Sequence, residues 1–401
     1  MSSYLSLLRT RGVAQIMAAQ LVARFPFGML SLAFLIHIER VHHSYAAAGL
    51  VLAATSIGQG IAGPLTSRWM GVWGMRTVLT LTMIVCATAI STIALIAMPV
   101  PLIMVVGFVA GLSMPPVQPA VRTIYPKMVN STQLTPLFSL DASAQEIIWV
   151  VGPVITTFIA TQVSTVLAIM LAVVFLVGGG IWFISTPEVG RVRIPRSKRK
   201  LGVVLSRPAV LLATVTGFLL IGACAAIEAG VVATFGDDGP ESGIILSVFA
   251  IGSLMGGLAL GHVQIGPWAM ARRLFAVFVG MALAALSLNF WWLAVTLLVA
   301  GIGIAPALAV MFAIVSSSVK FSETAEAYGW VGTGQLIGAA FGSAAAGFMI
   351  DAFHAPGAFW IAGGFAFFGF VVPTIFRPWY PDLRGRDASP IPDTAPIQTV
   401  R

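Results

Sequence analysis

Charge is what this chain has least of. Only 9% of its 401 residues are Asp, Glu, Lys or Arg, against roughly 25% in water-soluble domains, so water is not its main solvent. Acids are scarcer than bases, 14 against 22. The two cysteines, Cys86 and Cys224, lie in separate apolar runs without the spacing of a metal or redox pair, and act as small apolar residues. No Gly-x-x-x-x-Gly-Lys-Ser/Thr stretch occurs, which argues against a built-in ATP motor. No Ser, Cys or His constellation on a soluble domain suggests an enzyme. His37, His42 and His43 cluster near one short loop, while His262 and His354 stand alone; a short loop does not promise the fixed geometry a metal needs. Neither cofactor nor metal is expected.

What is abundant is apolar sequence, 58% of residues. A bilayer core asks for about 20 apolar residues per helix, and such runs recur between short polar or Gly/Pro-marked breaks. The predicted spans are 13–37, 45–66, 75–98, 101–122, 138–161, 164–186, 208–235, 242–264, 272–289, 291–317, 325–350 and 356–376, twelve in all. Gly and Pro within them are tolerated where neighbouring helices satisfy the freed backbone groups. Lys and Arg stay on the cytoplasmic side of short loops. An inside N-terminus places 20 of the 22 basic residues there, leaving Arg40 outside and Arg24 within a helix. The prediction is a multi-pass inner (cytoplasmic) membrane protein with both termini cytoplasmic. Its formal charge of +8 then reflects topology and contact with lipid, not nucleic acid. Arg9 and Arg11 precede the first apolar stretch, which is too long for a signal segment and carries Arg24 midway, so it remains as the first helix.

The strongest break is 187–208, PEVGRVRIPRSKRKLGVVLSRP, with seven basic residues and three prolines. It divides the chain into a six-helix bundle at 1–187, a basic cytoplasmic linker at 188–207, a second bundle at 208–377 and a mobile tail at 378–401. The halves repeat at a nearly fixed offset. Val109-Ala110-Gly111 before Pro116 matches Val299-Ala300-Gly301 before Pro306; Gln145 and Gly152 match Gln335 and Gly342, all at 190. Ile57-Gly58 and Gly63 match Ile251-Gly252 and Gly257 at 194.

Two parallel six-helix repeats on a basic linker resemble the major facilitator superfamily along nearly the whole chain. The loop between helices two and three, Gly63 to Arg76, is similar to the family's Gly-x-x-x-Asp-Arg-x-Gly-Arg-Arg. It keeps Gly74, Arg76 and Arg68, but has Gly71 at the Asp position and Val72 at the first Arg. In the family that Asp helps to close the cytoplasmic gate, so the usual gating charge network is altered here. Ser139-Leu140-Asp141, Gln145-Glu146 and Gly152-Pro153 resemble helix five of family exporters, and Glu323, Glu326, Tyr328 and Trp330 open helix eleven in the equivalent place.

The resemblance implies an all-α fold of twelve transmembrane helices in two pseudo-symmetric bundles around a midplane cavity. Charges in hydrocarbon are costly, about 2.5 to 3.5 kcal/mol on insertion scales, and three stand out. Arg24 lies roughly 16 Å deep in helix one and Glu146 at a similar depth in helix five, adjacent in the family architecture. An Arg24–Glu146 pair is the expectation, serving either to brace the half or to handle substrate or protons. Glu228 in helix seven has no basic neighbour, which favours a neutral carboxyl able to carry protons, unless the outer vestibule wets it. Gln145, Trp149, Trp330 and Gln335, on the paired helices five and eleven, would complete the site. Arg68, Arg76, Arg122 and Asp141 form the expected cytoplasmic gate, with Asp141 meeting Arg122. The expected activity is proton-coupled export of a small, partly apolar organic molecule by a monomer, powered by the proton gradient. Alternatives are a proton symporter importing a sugar, acid or other metabolite, and a non-transporting scaffold or sensor.

Overall fold

A computed structural model describes residues 2–197, 199–235, 241–261, 263–386 and 388–393. His262 and the tail beyond 393 lie outside the described residues. After α1 (Ser2–Arg9), the first pass comprises α2 (Val13–Arg24) and α3 (Pro26–His42), and the second and third are α4 (Tyr45–Trp73) and α5 (Met75–Leu95). The fourth is split into α6 (Val100–Leu112) and α7 (Val117–Ile124), followed by α8 (Ser131–Gln162) and α9 (Thr165–Ser185). The linker opens with α10 (Pro187–Arg191). The second half contains α11 (Pro208–Phe235), α12 (Glu241–Leu260), α13 (Ala269–Ala284), α14 (Phe290–Ser318), α15 (Phe321–Phe353) and α16 (Ala355–Ile375). Eleven passes among the described residues are long and apolar enough to cross a membrane. The ninth, α13, is a 16-residue helix.

Proline sets the breaks, because it lacks an N–H and crowds the preceding turn. The α2–α3 break falls at Phe25, before Pro26. Pro115 and Pro116 separate α6 from α7. The expected loop 63–76 is instead helix as far as Trp73. The turn to α5 consists of Gly74, at φ 87°, a conformation only glycine adopts cheaply.

The sequence repeat is a repeat of close helix crossings. A Cβ on Gly58 would lie 2.4 Å from the Phe108 carbonyl oxygen, and one on Gly252 2.4 Å from that of Leu298. Gly111 and Gly301 press in return on the Thr55 and Phe249 carbonyls. These pairs join α4 to α6 and α12 to α14. Likewise Gly152 meets Gly28 between α8 and α3, and Gly342 meets Gly222 between α15 and α11. Apolar side chains gain little by leaving lipid for one another, so small residues that admit close backbone packing hold such bundles together.

The halves join along two seams that the repeat also relates. On one, Gly329 of α15 lies against the Gly63 backbone of α4, and Thr333 donates to the Gly60 carbonyl at 2.8 Å. On the other, Ser139 of α8 donates to the Gly257 carbonyl of α12 at 2.6 Å. Away from these seams, α3 packs mainly on α4, α8 and α9 of its own half, and α11 on α12, α14, α15 and α16 of its own.

Residues 380–386 and 388–393, expected to be part of a mobile tail, are docked. Tyr380 is buried with its hydroxyl 3.2 Å from that of Thr216, and the Leu383 amide donates to Ile265 at 3.0 Å. Ile391 pairs by backbone with Val319 and Phe321, and Asp393 accepts from the Ser322 amide at 3.2 Å and its hydroxyl at 2.5 Å. Lys320, at the N-cap of α15, has no side-chain oxygen, and Asp393 supplies the missing acceptor. In the exposed turn before it, the Arg384 guanidinium, hydrogen-bonded at 2.7 Å, holds the Asp382 carboxyl down to about 2.

Candidate functional site

Asp141 is the centre of the site. It is fully buried on α8 and accepts from Arg122 Nε at 3.0 Å, from Gln20 at 3.1 Å and from the Tyr125 hydroxyl at 3.2 Å. Arg24 lies 3.6 Å away. The expected Asp141–Arg122 contact is present. The expected Arg24–Glu146 pair is not. Arg24 donates to Gln20 Oε1 at 2.8 Å and to the Gln145 carboxamide oxygen, while Glu146 accepts from the Ser253 hydroxyl of α12 at 2.8 Å. At 3.6 residues per turn, Asp141 and Gln145 share one face of α8, whereas Glu146 points about 140° away from Asp141. Depth matched Arg24 to Glu146, but rotation separates them.

Beneath this cluster the halves close on aromatic surface. The Arg122 guanidinium stacks 3.3 Å over the Phe312 ring of α14, a cation–π contact between the halves. Gln118, with its oxygen turned to the guanidinium, accepts from both terminal nitrogens. Phe138 lies 6.4 Å from Phe312 and 6.5 Å from Tyr328, and those two rings meet edge to face at 6.2 Å. Sequence reasoning missed Tyr125, Phe138 and Phe312; in chains this apolar, one more aromatic carries no signal.

A second layer lies at the end where the basic residues gather. Arg68 pairs with Glu326 of α15 at 3.1 Å and donates to the Arg199 carbonyl. Glu326 also accepts from the Gly202 amide at 2.8 Å. Arg207 and Arg199 of the linker meet Glu323 at 3.0 and 3.3 Å. With Gly71 where the family places an acid, the carboxylates come from α15. Arg76 lies away from this seam: it covers Gly190 and reaches the Thr186 carbonyl at 3.5 Å, within its own side of the molecule.

The other candidates scatter. Trp330 packs against Gly202 of the linker, and Gln335 against Gly217 of α11, so neither joins Arg24 and Gln145. Trp149 is 51% exposed. Glu228 is exposed and makes no hydrogen bond or ion pair among the described residues. Ser253, which sequence reasoning missed, ties Glu146 to α14 by accepting from the Ala305 amide at 3.2 Å, next to Pro306.

The sequence matches the family described as Major Facilitator Superfamily over residues 16–288 and 225–399. The chain belongs to the major facilitator superfamily. No curated protein sequence matches it significantly. Solved superfamily structures share its fold. The human organic anion transporter MFSD10 (TETRAN) superposes with TM-score 0.70 at 15% identity, over 90% of this chain and 99% of its own. A bacterial homologue of the iron transporter ferroportin, in an outward-facing state, gives 0.73 at 12% identity, over 92% and 100%. The E. coli fucose:proton symporter FucP gives 0.71 at 14%, over 92% and 98%. At such identities the likeness speaks for the fold. The chain is a multi-pass membrane transporter of this superfamily.

Proposed function

We propose that the protein is a proton-coupled secondary transporter that exports a small, partly apolar organic molecule by alternating access. The observation that carries this reading is the asymmetry of the junction. Two related seams, the Arg122–Phe312 contact and the Arg68–Glu326 pair hold the halves together at the basic end, while the main contacts of α3 and α11 are with helices of their own halves. The positive-inside bias makes that end cytoplasmic in an inner membrane, which describes an outward-open state with both termini inside. Likeness to the ferroportin homologue in an outward-facing state supports this orientation.

Glu146 reaches across to Ser253, and Glu228 has no hydrogen-bond or ion-pair partner among the described residues. These carboxyls are where proton movement would act on the junction. Exposed Trp149 and Phe341 favour a cargo with an apolar body. Relatives named for organic anions, iron and fucose leave the cargo to be read from this chain's own residues.

The test is flux in proteoliposomes under an imposed pH gradient, with disulfide cross-linking of Gly60→Cys to Thr333→Cys. Gradient-driven flux that the cross-link stops, and reduction restores, is the expected result. Flux indifferent to the cross-link would remove alternating access at this seam. Absence of flux for every compound class would favour a scaffold or sensor.

A further inference from the structure

One buried charge is left over in the first half. Arg24 and Arg122 are 4% and 2% exposed, and fully buried Asp141 is the only carboxylate paired with either among the described residues. Two cations on one anion leave a surplus positive charge. Buried ions are tolerated only with compensation, and Glu146 does not provide it, being turned to Ser253. Arg122 is enclosed by Asp141, Phe312 and Gln118. Arg24 is different. Beyond Asp141 and Gln20, its remaining terminal nitrogen ends on the carboxamide oxygen of Gln145, a neutral and only half-buried side chain. One turn further along the same face of α8 stands the exposed ring of Trp149.

We propose that Arg24 and Gln145 form an anion subsite, and that the cargo is an organic monoanion, a carboxylate on an apolar or aromatic body. Resting on the transporter reading above, this deepens it by naming the substrate class. The Gln145 oxygen stands in for one carboxylate oxygen; arriving cargo displaces it, gains a charge-assisted bond to Arg24 and lays its body on Trp149. Asp141 remains bound to both arginines. It leaves Arg24 partly neutralised, so the anion is held without being trapped.

The test is thermal shift of the purified full chain in detergent with benzoate, phenylacetate and 2-naphthoate, beside amides and amines of the same skeletons, at one pH and ionic strength. Carboxylates are expected to stabilise, and amides and amines are not. Gln145→Glu places a fixed anion against Arg24 without changing size. It should fold at least as well as the parent and weaken carboxylate binding about 30-fold or more. Arg24→Gln should abolish binding; should it fail to fold, Gln145→Glu still decides. No carboxylate-specific stabilisation, or affinity unchanged in Gln145→Glu, overturns the proposal. Flux under a pH gradient separates the two readings. Neutral or cationic flux untouched by Gln145→Glu sinks the anion subsite and leaves the transporter; no flux of any compound sinks the transporter, while binding still reports on Arg24.

Discussion

Replacing Asp141 by Asn should be among the most damaging single changes in this chain. The carboxylate accepts hydrogen bonds from Arg122, Gln20 and Tyr125 at 3.0 to 3.2 Å and faces Arg24 at 3.6 Å, with no solvent exposure. Asn keeps the shape and one acceptor, but strands two buried guanidinium groups. Removing one partner of a buried ion pair costs about 3 to 5 kcal/mol. If the first half unfolds as one unit of under two hundred residues, each kcal/mol lowers Tm by about 2 to 4 °C. The expected drop is therefore roughly 6 to 20 °C, read by tryptophan fluorescence during heating in detergent. Asp351→Asn, at an exposed position, is the control and should stay within about 0.5 kcal/mol. The double variant Asp141→Asn with Arg24→Gln returns the buried surplus to one charge, and should recover at least about 1 kcal/mol. A shift under about 2 °C for Asp141→Asn, or no recovery in the double variant, would refute Asp141 as shared counter-ion.

Arg24→Ala should lower Tm by several degrees, while Arg40→Ala, on an exposed position near the far end of α3, should leave it unchanged; equal, mild effects would remove Arg24 from the site. Glu228→Gln, mimicking the neutral carboxyl, should abolish pH-driven flux in proteoliposomes while binding stays measurable, and full flux would transfer the proton role to Glu146. A Cβ at 329 would stand 2.5 Å from the Gly63 carbonyl oxygen, so Gly329→Val should separate α4 from α15, seen as loss of the Gly60–Thr333 cysteine cross-link; an unchanged cross-linking rate would show that the seam has slack. Glu326→Gln should loosen the linker, raising protease cleavage near Arg199 several-fold, and an unaltered cleavage rate would count against the latch.

The twelve passes and the division into halves were legible because they follow from bulk quantities, apolar length and the placement of Lys and Arg. The repeat glycines were legible as spacing, though not as the close crossings that explain them. Partner choice was harder. Sequence gives a residue's depth along a helix fairly well, but its direction around the axis only once the neighbours are known. Asp141 was therefore placed correctly beside Arg122, while Arg24 was assigned to Glu146, five residues and about 140° from the carboxylate it meets. Arg76 was drawn toward the gate by its motif, yet α4 runs on to Trp73 and turns at Gly74, which carries Arg76 to Gly190. Gln335 matches Gln145 by offset, but the second half has no counterpart of Arg24 to engage it: Phe218, 194 residues on, packs on Phe341 and Phe365.

The first turn of α15 is where three stretches distant in sequence converge: Arg68 from α4, the arginines of the linker, and residues 391–393. A bulky group joined shortly after residue 393 would therefore sit close to the turn that ties α4, the linker and α15 together. A bulky reporter there becomes a load on the latch, while one at the N-terminus leaves this corner alone. Flux values measured on the two fusions need not agree, and their ratio would itself gauge how far the corner must travel during turnover.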